Sequence, residues 1–424
     1  MLRKTILLLF VTLLISVEVF AAGPIQSGDH LTLEICLDIA RKANPQIMTA
    51  EHGVSASRSK IGQAKSAYYP QLNISSGYNH GWSDTGPTEN SSDRYSTSIG
   101  VSQNIWDFGK TSAQVEIGKL NLDSSLLNLD EVSGRIVLKV KQAYYQVLQS
   151  RKAEEVAREA VAQYQKHLEQ AQGFYETGKS PKFDVTKAEV DLSNAKVNLI
   201  SAENAVRLAF LSLNNAMGVP DASEYTVEDN LSSRHPEITL DEALKTAYQN
   251  RPDLKTAATA RKSAALSATL AQKNYYPAIS GNAGYGWSGD DFSQKDSNWS
   301  AGVTLSVPLF NGFSTKHKVE EARANLRSAE SQEETLKQGV FLEVKQAFLT
   351  LREAIAKIPV AELTVTQARE NLELANGRYQ AGVGSPIETT DSQVSYSQAR
   401  YAYIQALYQY QTARANLDNA MGVK

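Results

Sequence analysis

The spacing of apolar residues changes along the chain and divides it into helical and strand-like stretches. Residues 33–67 are rich in alanine and predict a helix, with a break at Asn44–Pro45 because proline disfavours a helical residue before it. Apolar and polar side chains then alternate over 71–82 and again over 95–105, which is typical of strands with one apolar face and one polar face. The Ser-, Gly- and Asp-rich segment 83–94 between them predicts a hairpin loop.

A helical pattern then returns and continues unusually far. Residues 110–174 contain no proline and predict a helix about 100 Å long, at about 1.5 Å per residue. Apolar positions within it recur at alternating spacings of four and three, a heptad seam of the coiled-coil type. The seam positions are Leu122, Leu126, Leu129, Ser133, Ile136, Val140, Ala143 and Val147. A tight turn at 177–181 leads into a returning helix, 184–217, of about half that length. Two half-length helices placed end to end would match the long one.

The second part of the chain repeats this layout. Residues 32–45 match 239–252 at an offset of 207, and Asn-Ala-Met-Gly at 215–218 recurs at 419–422 at an offset of 204. Pro359 lies inside the second long helical pattern and predicts a kink or break. The second pair of alternating stretches is 279–287 and 298–307, with a predicted hairpin loop at 288–296.

The repeats and the first residues define the predicted domain organisation. Residues 1–21 combine a basic start, an apolar run and a small-residue cleavage site, and they predict a secretory signal peptide. An uncleaved membrane anchor is the alternative, but Glu18 shortens the apolar run below the roughly 20 residues that a spanning helix needs. The rest divides into a first repeat, 22–218, a linker, 219–237, and a second repeat, 238–424.

Composition and charge argue against several functional classes. With 43 Lys plus Arg against 46 Asp plus Glu, the chain has no basic excess for binding nucleic acid. The single cysteine, Cys36, excludes an intramolecular disulfide and a multi-cysteine zinc site. The six histidines form no close pair, and no nucleophile with a base or glycine-rich phosphate loop is recognisable. We therefore expect no enzymatic activity, no metal and no cofactor.

The four strand-like stretches suggest a shared membrane barrel. Each has roughly ten residues, which is long enough to cross a bilayer when tilted. Four strands cannot close a barrel, and an open sheet edge is not tolerated in lipid. Several chains are therefore expected to share one barrel, with eight strands from two copies or twelve strands and room for a channel from three.

Four short sequences accompany the doubled layout. They are Tyr-x-x-Gly at Tyr175–Gly178 and Tyr379–Gly382, Tyr-Pro at Tyr69–Pro70 and Tyr276–Pro277, Leu-Phe-Asn-Gly at Leu309–Gly312, and the Asn-Ala-Met-Gly that ends each half. In this order, and over essentially all of the chain after residue 21, they resemble the TolC family of outer-membrane efflux channels.

The resemblance implies a mostly α-helical chain with a small β part. It implies a homotrimer in which antiparallel helical hairpins form a periplasmic α-barrel and the strands form a twelve-stranded β-barrel in outer-membrane lipid. Its implied partners are a periplasmic membrane-fusion adaptor and, through it, an inner-membrane pump. Such a channel conducts small molecules or polypeptides passively in a tripartite efflux pump or type I secretion system. The alternative is an exported coiled-coil structural or adhesin-like protein, which would have no need of repeated amphipathic hairpins.

By resemblance, the two turns that close the helical hairpins should dock the adaptor. The implied docking residues are Tyr175, Gly178, Asp184, Tyr379 and Gly382. The tyrosines could equally anchor the turns. Asp184, like Glu388 in the second half, could instead cap a helix N-terminus and suit its dipole.

A pair of carboxylates in the second half is the sharpest candidate site. Glu388 and Asp391 are three residues apart, so they share one face of the returning helix. By resemblance they match acidic residues of a periplasmic constriction, where a threefold axis would gather six carboxylates and favour cations. The first half has Lys187 at the counterpart of Asp391, and Gly384 stands where the family pattern can carry an arginine that helps to lock the entrance. Two solvated carboxylates at a helix start are the alternative.

Overall fold

The computed structural model describes residues 25–84, 89–229, 238–291 and 296–423. The predicted signal peptide, 1–21, lies outside these residues.

The order of the elements is the same in the two halves of the chain. The first half and the segment after it contain β1 (His30–Leu31), α1 (Leu33–Ala43), α2 (Pro45–Lys65), β2 (Gln71–Asp84), β3 (Glu89–Trp106), α3 (Lys110–Glu176), α4 (Lys182–Met217) and β4 (Thr226–Val227). The second half contains α5 (Leu240–Asn250), α6 (Pro252–Lys273), β5 (Ala278–Gly289), β6 (Asp296–Ser306), α7 (Ser314–Gln380) and α8 (Pro386–Ala420). The predicted sequence of helix, strand pair, long helix and returning helix is confirmed in both halves.

The predicted break near residue 44 is confirmed, and its cause is local. Asn44 ends α1, and its side chain accepts a hydrogen bond from the backbone N–H of Gln46 at the start of α2. Pro45 occupies the first turn of α2, where its missing N–H costs nothing. In the second half, Thr239 and Glu242 form a reciprocal capping box at the start of α5.

The two long helices, α3 and α7, each have 67 residues, or about 100 Å of helix. The sequence predicts a kink or a break at Pro359. The break is wrong, because α7 is helical on both sides of this residue, and the kink stays a prediction. One missing N–H removes one backbone hydrogen bond, and packing of α7 on α6 and α8 holds the rest of the helix. The heptad seam of α3 is confirmed only in part: Val140 and Val147 are buried, whereas Leu126 is 43% exposed.

The shorter helices lie end to end along the long ones, as predicted. Both α2 and α4 pack on α3. The end of α4 meets the start of α2, where the Asn44 amide donates a hydrogen bond to the carbonyl of Ala216 over 2.9 Å. The second half repeats this junction, because the Arg251 guanidinium donates to the carbonyl of Ala420 at the end of α8 over 3.0 Å.

The largest apolar clusters lie around these two junctions. In the first repeat, buried side chains of α1, α3 and α4 pack together, including Cys36, Tyr144 and Leu213. In the second repeat, Val344 and Tyr410 belong to the corresponding cluster of α5, α7 and α8. Each repeat therefore has its own core, which lies near the middle of its long helix and the end of its returning helix.

The four long strands form one antiparallel sheet with the order β2-β3-β5-β6. Its register confirms the two predicted faces. One cross-strand row consists of Ile74, Ile99, Tyr285 and Trp299, and the next row consists of Ser75, Ser98, Gly286 and Asn298. Successive residues of a strand point to opposite faces, so the first row belongs to an apolar face and the second to a polar face.

The predicted hairpin loop 83–94 is too long. Residues 89–94 belong to β3 and pair with 79–84 of β2. Residues 89–94 are all polar, so the sequence shows no alternation there that would extend the predicted strand. Residues 85–88 and 292–295 lie outside the described part of the chain. This first hairpin continues past the point where β5 stops pairing with β3, at Gly289 opposite Tyr95.

The predicted linker, 219–237, is described as far as residue 229. It carries β4, which pairs in parallel with β1 through His30–Thr226 and Leu31–Val227.

Within the described residues, every helix is too short or too polar to cross a membrane.

Candidate functional site

The candidate site is the end of the helical body that lies farthest from the sheet. It is formed by the turns 177–181 and 381–385, and we call it the tip. The first helical hairpin is α3 with α4, and the second is α7 with α8. The tip is one site rather than two because the ends of the two hairpins contact each other.

Both turns have the same backbone geometry. Gly178 and Gly382 have φ of +72° and +77°, a conformation that glycine adopts without steric cost. The N–H of Lys179 donates to the carbonyl of Phe174 over 2.8 Å, and the N–H of Val383 donates to the carbonyl of Arg378 over 3.0 Å. These bonds close each long helix with a Schellman motif. A Cβ at either glycine would meet no atom within 4 Å, so both turns face open space.

The two tyrosines that precede these glycines have different surroundings. Tyr175 is 47% exposed, whereas Tyr379 is 4% exposed. The Tyr379 ring lies 5.1 Å from the His167 ring and 5.3 Å from the Phe174 ring, both on α3. Tyr379 therefore anchors the second hairpin on the first. Burial, and to a lesser degree the negative charge of Asp184, raises the pKa of Tyr379.

The acidic residues near the helix starts do not cap them. Pro181 and Ser385 hold the cap positions of α4 and α8, and the Ser385 hydroxyl accepts a hydrogen bond from the N–H of Ile387. Asp184 and Glu388 lie inside the first turns, where a carboxylate still suits the helix dipole. The cap interpretation of these two residues is therefore wrong.

Glu388 and Asp391 are both exposed, on neighbouring turns of α8. Glu388 Oε2 lies 3.5 Å from Arg378 Nε on α7, in an exposed ion pair that contributes at most about 1 kcal/mol. A Cβ at Gly384 would lie 2.8 Å from the backbone nitrogen of Tyr379, so position 384, unlike Gly382 in the same turn, has no room for a side chain. The arginine next to Glu388 in this chain is therefore Arg378, on the neighbouring helix.

A polar contact between the hairpins was not predicted from the sequence. The Thr390 hydroxyl on α8 donates to Asp191 Oδ2 on α4 over 3.2 Å. Lys187 forms an ion pair with the same carboxylate at 3.1 Å. The i,i+4 spacing of Lys187 and Asp191 could have suggested that ion pair. No sequence signal links Asp191 to Thr390, because they are 199 residues apart.

The described residues contain no group of three or more histidine, cysteine or acidic side chains that could hold a metal ion. Within the described residues, the tip consists of two glycine turns, aromatic contacts between the hairpins and exposed charged side chains.

Comparison with known proteins places the fold in a family. The profile of the family described as outer membrane efflux protein matches residues 36–219 and 243–423. The chain is 24% identical over 405 residues to protein CyaE of Bordetella pertussis, covering 94% of this chain and 85% of that protein. It is also 24% identical over 398 residues to outer membrane protein TolC of Vibrio cholerae, covering 89% of each.

A solved structure has the same fold. The CmeC outer membrane channel of Campylobacter jejuni superposes with a TM-score of 0.79 at 15% identity, covering 92% of this chain and 85% of that one. The family profile matches most of the chain in two segments, which agrees with the internal repeat of the fold. This chain therefore belongs to the outer membrane efflux protein family.

Proposed function

We propose that three copies of this chain form one outer-membrane exit duct. The duct would conduct small molecules or polypeptides passively, as the outer part of a tripartite efflux pump or a type I secretion system. The observation that carries this proposal is the four-stranded sheet, in which β2 and β6 are edge strands. Open edges are not stable in lipid, so β6 of one copy should pair with β2 of the next until the barrel closes.

The polar face of the sheet supports a lumen in that barrel. Its cross-strand rows contain small polar residues and glycines, such as Ser75, Ser98 and Gly286. A packed core would need large apolar side chains at these positions. With three copies the barrel has twelve strands and room for a channel.

Exposed apolar stripes on two helices support assembly of several copies. On α4 they are Val190, Val197, Ile200, Leu208 and Leu211, and on α7 they are Leu342, Leu349, Val360, Leu363 and Leu374. On each helix one pair is seven residues apart, Val190–Val197 and Leu342–Leu349, and two further pairs are eleven apart, spacings that return to one helix face as in coiled coils. Extended apolar surfaces of this kind are normally covered by another chain. We assign each stripe to the interface with a neighbouring copy.

The tip is the proposed contact with the periplasmic adaptor and, through it, with the inner-membrane pump. It lies about 100 Å from the sheet along α3. The turn residues Gly178 and Gly382 and the exposed ring of Tyr175 would form the docking surface. Asp184 and the buried Tyr379 would support this surface from behind.

The proposed constriction of the duct consists of Glu388 and Asp391. Both side chains are exposed in the single chain and share one face of α8. Around a threefold axis, three copies would gather six carboxylates at the periplasmic entrance. Crowded negative charges attract cations, so the open duct should be cation-selective.

Single-channel recordings in planar bilayers test this proposal. A variant with Glu388→Ala and Asp391→Ala should lose cation selectivity and block by multivalent cations from the periplasmic side. The matched control carries Glu370→Ala and Glu373→Ala, which removes two exposed carboxylates at the same spacing on α7. Unchanged selectivity and block in the first variant would exclude the constriction, and a wild-type protein without channel conductance would contradict the duct itself.

A further inference from the structure

Buried polar atoms that have no hydrogen-bond partner within the protein gather near the tip. Among the described residues, they include Nδ1 of His167 and the hydroxyls of Ser180, Tyr379 and Thr389. A buried polar atom without a partner costs free energy, so such groups are rarely grouped without a reason. This group joins both hairpins, because His167 belongs to α3 and Thr389 to α8.

His167 is the titratable member that lies between the hairpins. It is 7% exposed, and its ring faces that of Tyr379 on α7. Together with Thr389 and Thr390 of α8 it lines a cavity of about 20 Å³, enough for one water molecule. The side chain therefore contacts both helices of the second hairpin.

The surroundings of His167 include groups that lower its pKa and groups that raise it. Burial favours the neutral ring most strongly, and Lys187 on α4 adds to this effect. Asp184 and Asp191, also on α4, favour the charged ring. The net result is a pKa of His167 below its usual value. Tyr379 on α7 and Tyr164 on α3 are the remaining titratable neighbours, and Asp391 on α8 acts on Tyr164.

The other repeat has a neutral residue at the same position. Asn371 corresponds to His167 at the offset of 204. Its side-chain amide donates to the Ser392 hydroxyl over 2.9 Å, inside its own hairpin. The position thus accommodates asparagine in the same helical context, and the titratable group is specific to the contact between the hairpins.

We propose that protonation of His167 loosens the contact between the two hairpins at the tip, so that acidic pH favours their separation. The packed tip holds a neutral ring among buried groups, whereas separated hairpins would let water solvate a charged imidazolium. Because the pKa of His167 is lowered in the packed tip, the packed state has its full stability at pH values above the unperturbed pKa of histidine. This stabilisation decreases as the pH falls below that value.

This device goes beyond the proposed function, since it makes opening of the proposed docking end depend on pH. A buried thiol at Thr389→Cys is the probe, because Thr389 is 5% exposed and lines the cavity. At each pH, the rate at which a maleimide labels Thr389→Cys is divided by the rate at which it labels the exposed probe Lys179→Cys. This labelling ratio removes the effect of pH on the reactivity of the thiol itself. The native Cys36 is buried, and its pKa is raised to about 12, so it contributes little labelling.

In the full-length protein, the labelling ratio should rise about fivefold or more between pH 8 and pH 5, a typical size for coupled equilibria. His167→Asn, which introduces the residue type of Asn371, should keep a low ratio that does not change with pH. His167→Lys introduces a side chain that is charged at pH 8 when water solvates it, so it should favour the separated hairpins and show the high ratio already at pH 8. Circular dichroism checks that each variant is folded.

An equal pH response in the His167→Asn protein would overturn the proposal, as would a ratio that stays constant in the wild type. The His167→Asn comparison decides the matter even where His167→Lys does not fold. Channel conductance is measured separately on the same preparations. Conductance with a flat labelling ratio rejects the pH device alone, whereas loss of conductance with an intact pH response contradicts only the duct.

Discussion

At the scale of single residues, equal backbone geometry hides different surroundings. Gly218 and Gly422, which end the two Asn-Ala-Met-Gly sequences, have positive φ like the turn glycines Gly178 and Gly382. A Cβ at Gly218 would lie 2.7 Å from the Cα of Asn44, whereas a Cβ at Gly178 would contact nothing. Gly218 and Gly422 thus meet two requirements. They adopt a positive φ, and they let two helix ends approach closely.

Gly218→Ala should destabilise the protein by more than about 2 kcal/mol, because left-handed strain adds to a clash between backbones. Gly178→Ala is the matched control and should cost about 1 kcal/mol, from the strain alone. Urea denaturation of the purified protein, followed by circular dichroism, measures both. Equal losses of stability in the two variants would show that the contact with Asn44 contributes nothing.

At the scale of elements, α7 accommodates a proline that a helix interior normally excludes. Pro359 has no N–H to donate to the carbonyl four residues earlier, yet the helix continues on both sides. Pro386 occupies the first turn of α8, where no such bond is lost. The same residue type is therefore costly in one helix and neutral in the other.

Pro359→Ala should stabilise the protein by up to about 3 kcal/mol, since it restores a helical hydrogen bond. Pro386→Ala should change the stability little. The midpoint of thermal unfolding compares the two variants in the same detergent. A lower midpoint for Pro359→Ala would mean that the shape which proline gives to α7 is required for packing.

At the scale of the whole molecule, the described chain leaves an apolar sheet face, two sheet edges and two helix stripes uncovered. The sheet face suits lipid, and the edges and stripes suit other copies of the chain. These surfaces together explain why a 424-residue chain of this family has no single central core among its described residues.

Val197→Asp should weaken the assembly, because it places a carboxylate in the exposed stripe of α4. Asn198→Asp changes the next residue, which is also exposed and already polar, and should leave the assembly intact. Light scattering coupled to size-exclusion chromatography gives the mass of the protein in detergent. A trimer mass for both variants would remove the α4 stripe from the interface.

The sequence by itself determined the order of the elements and the doubling of the chain. Periods of two and 3.6 residues are local, so they identified the strand faces and the helices. Proline and glycine are likewise local signals, so they identified the break at Asn44–Pro45 and the turns at Gly178 and Gly382. The pattern failed where polarity hid the periodicity, as in 89–94, and where packing overrode the propensity of Pro359.

Only the tertiary structure decided which of two equivalent residues is buried. Tyr175 and Tyr379 have the same sequence context, but the contact between the hairpins covers only Tyr379. The pairing of Thr390 with Asp191 and the environment of His167 also depend on that contact. The partners in these contacts are far apart in the chain, and a local pattern of apolar and polar residues carries no information about which helices pack against each other.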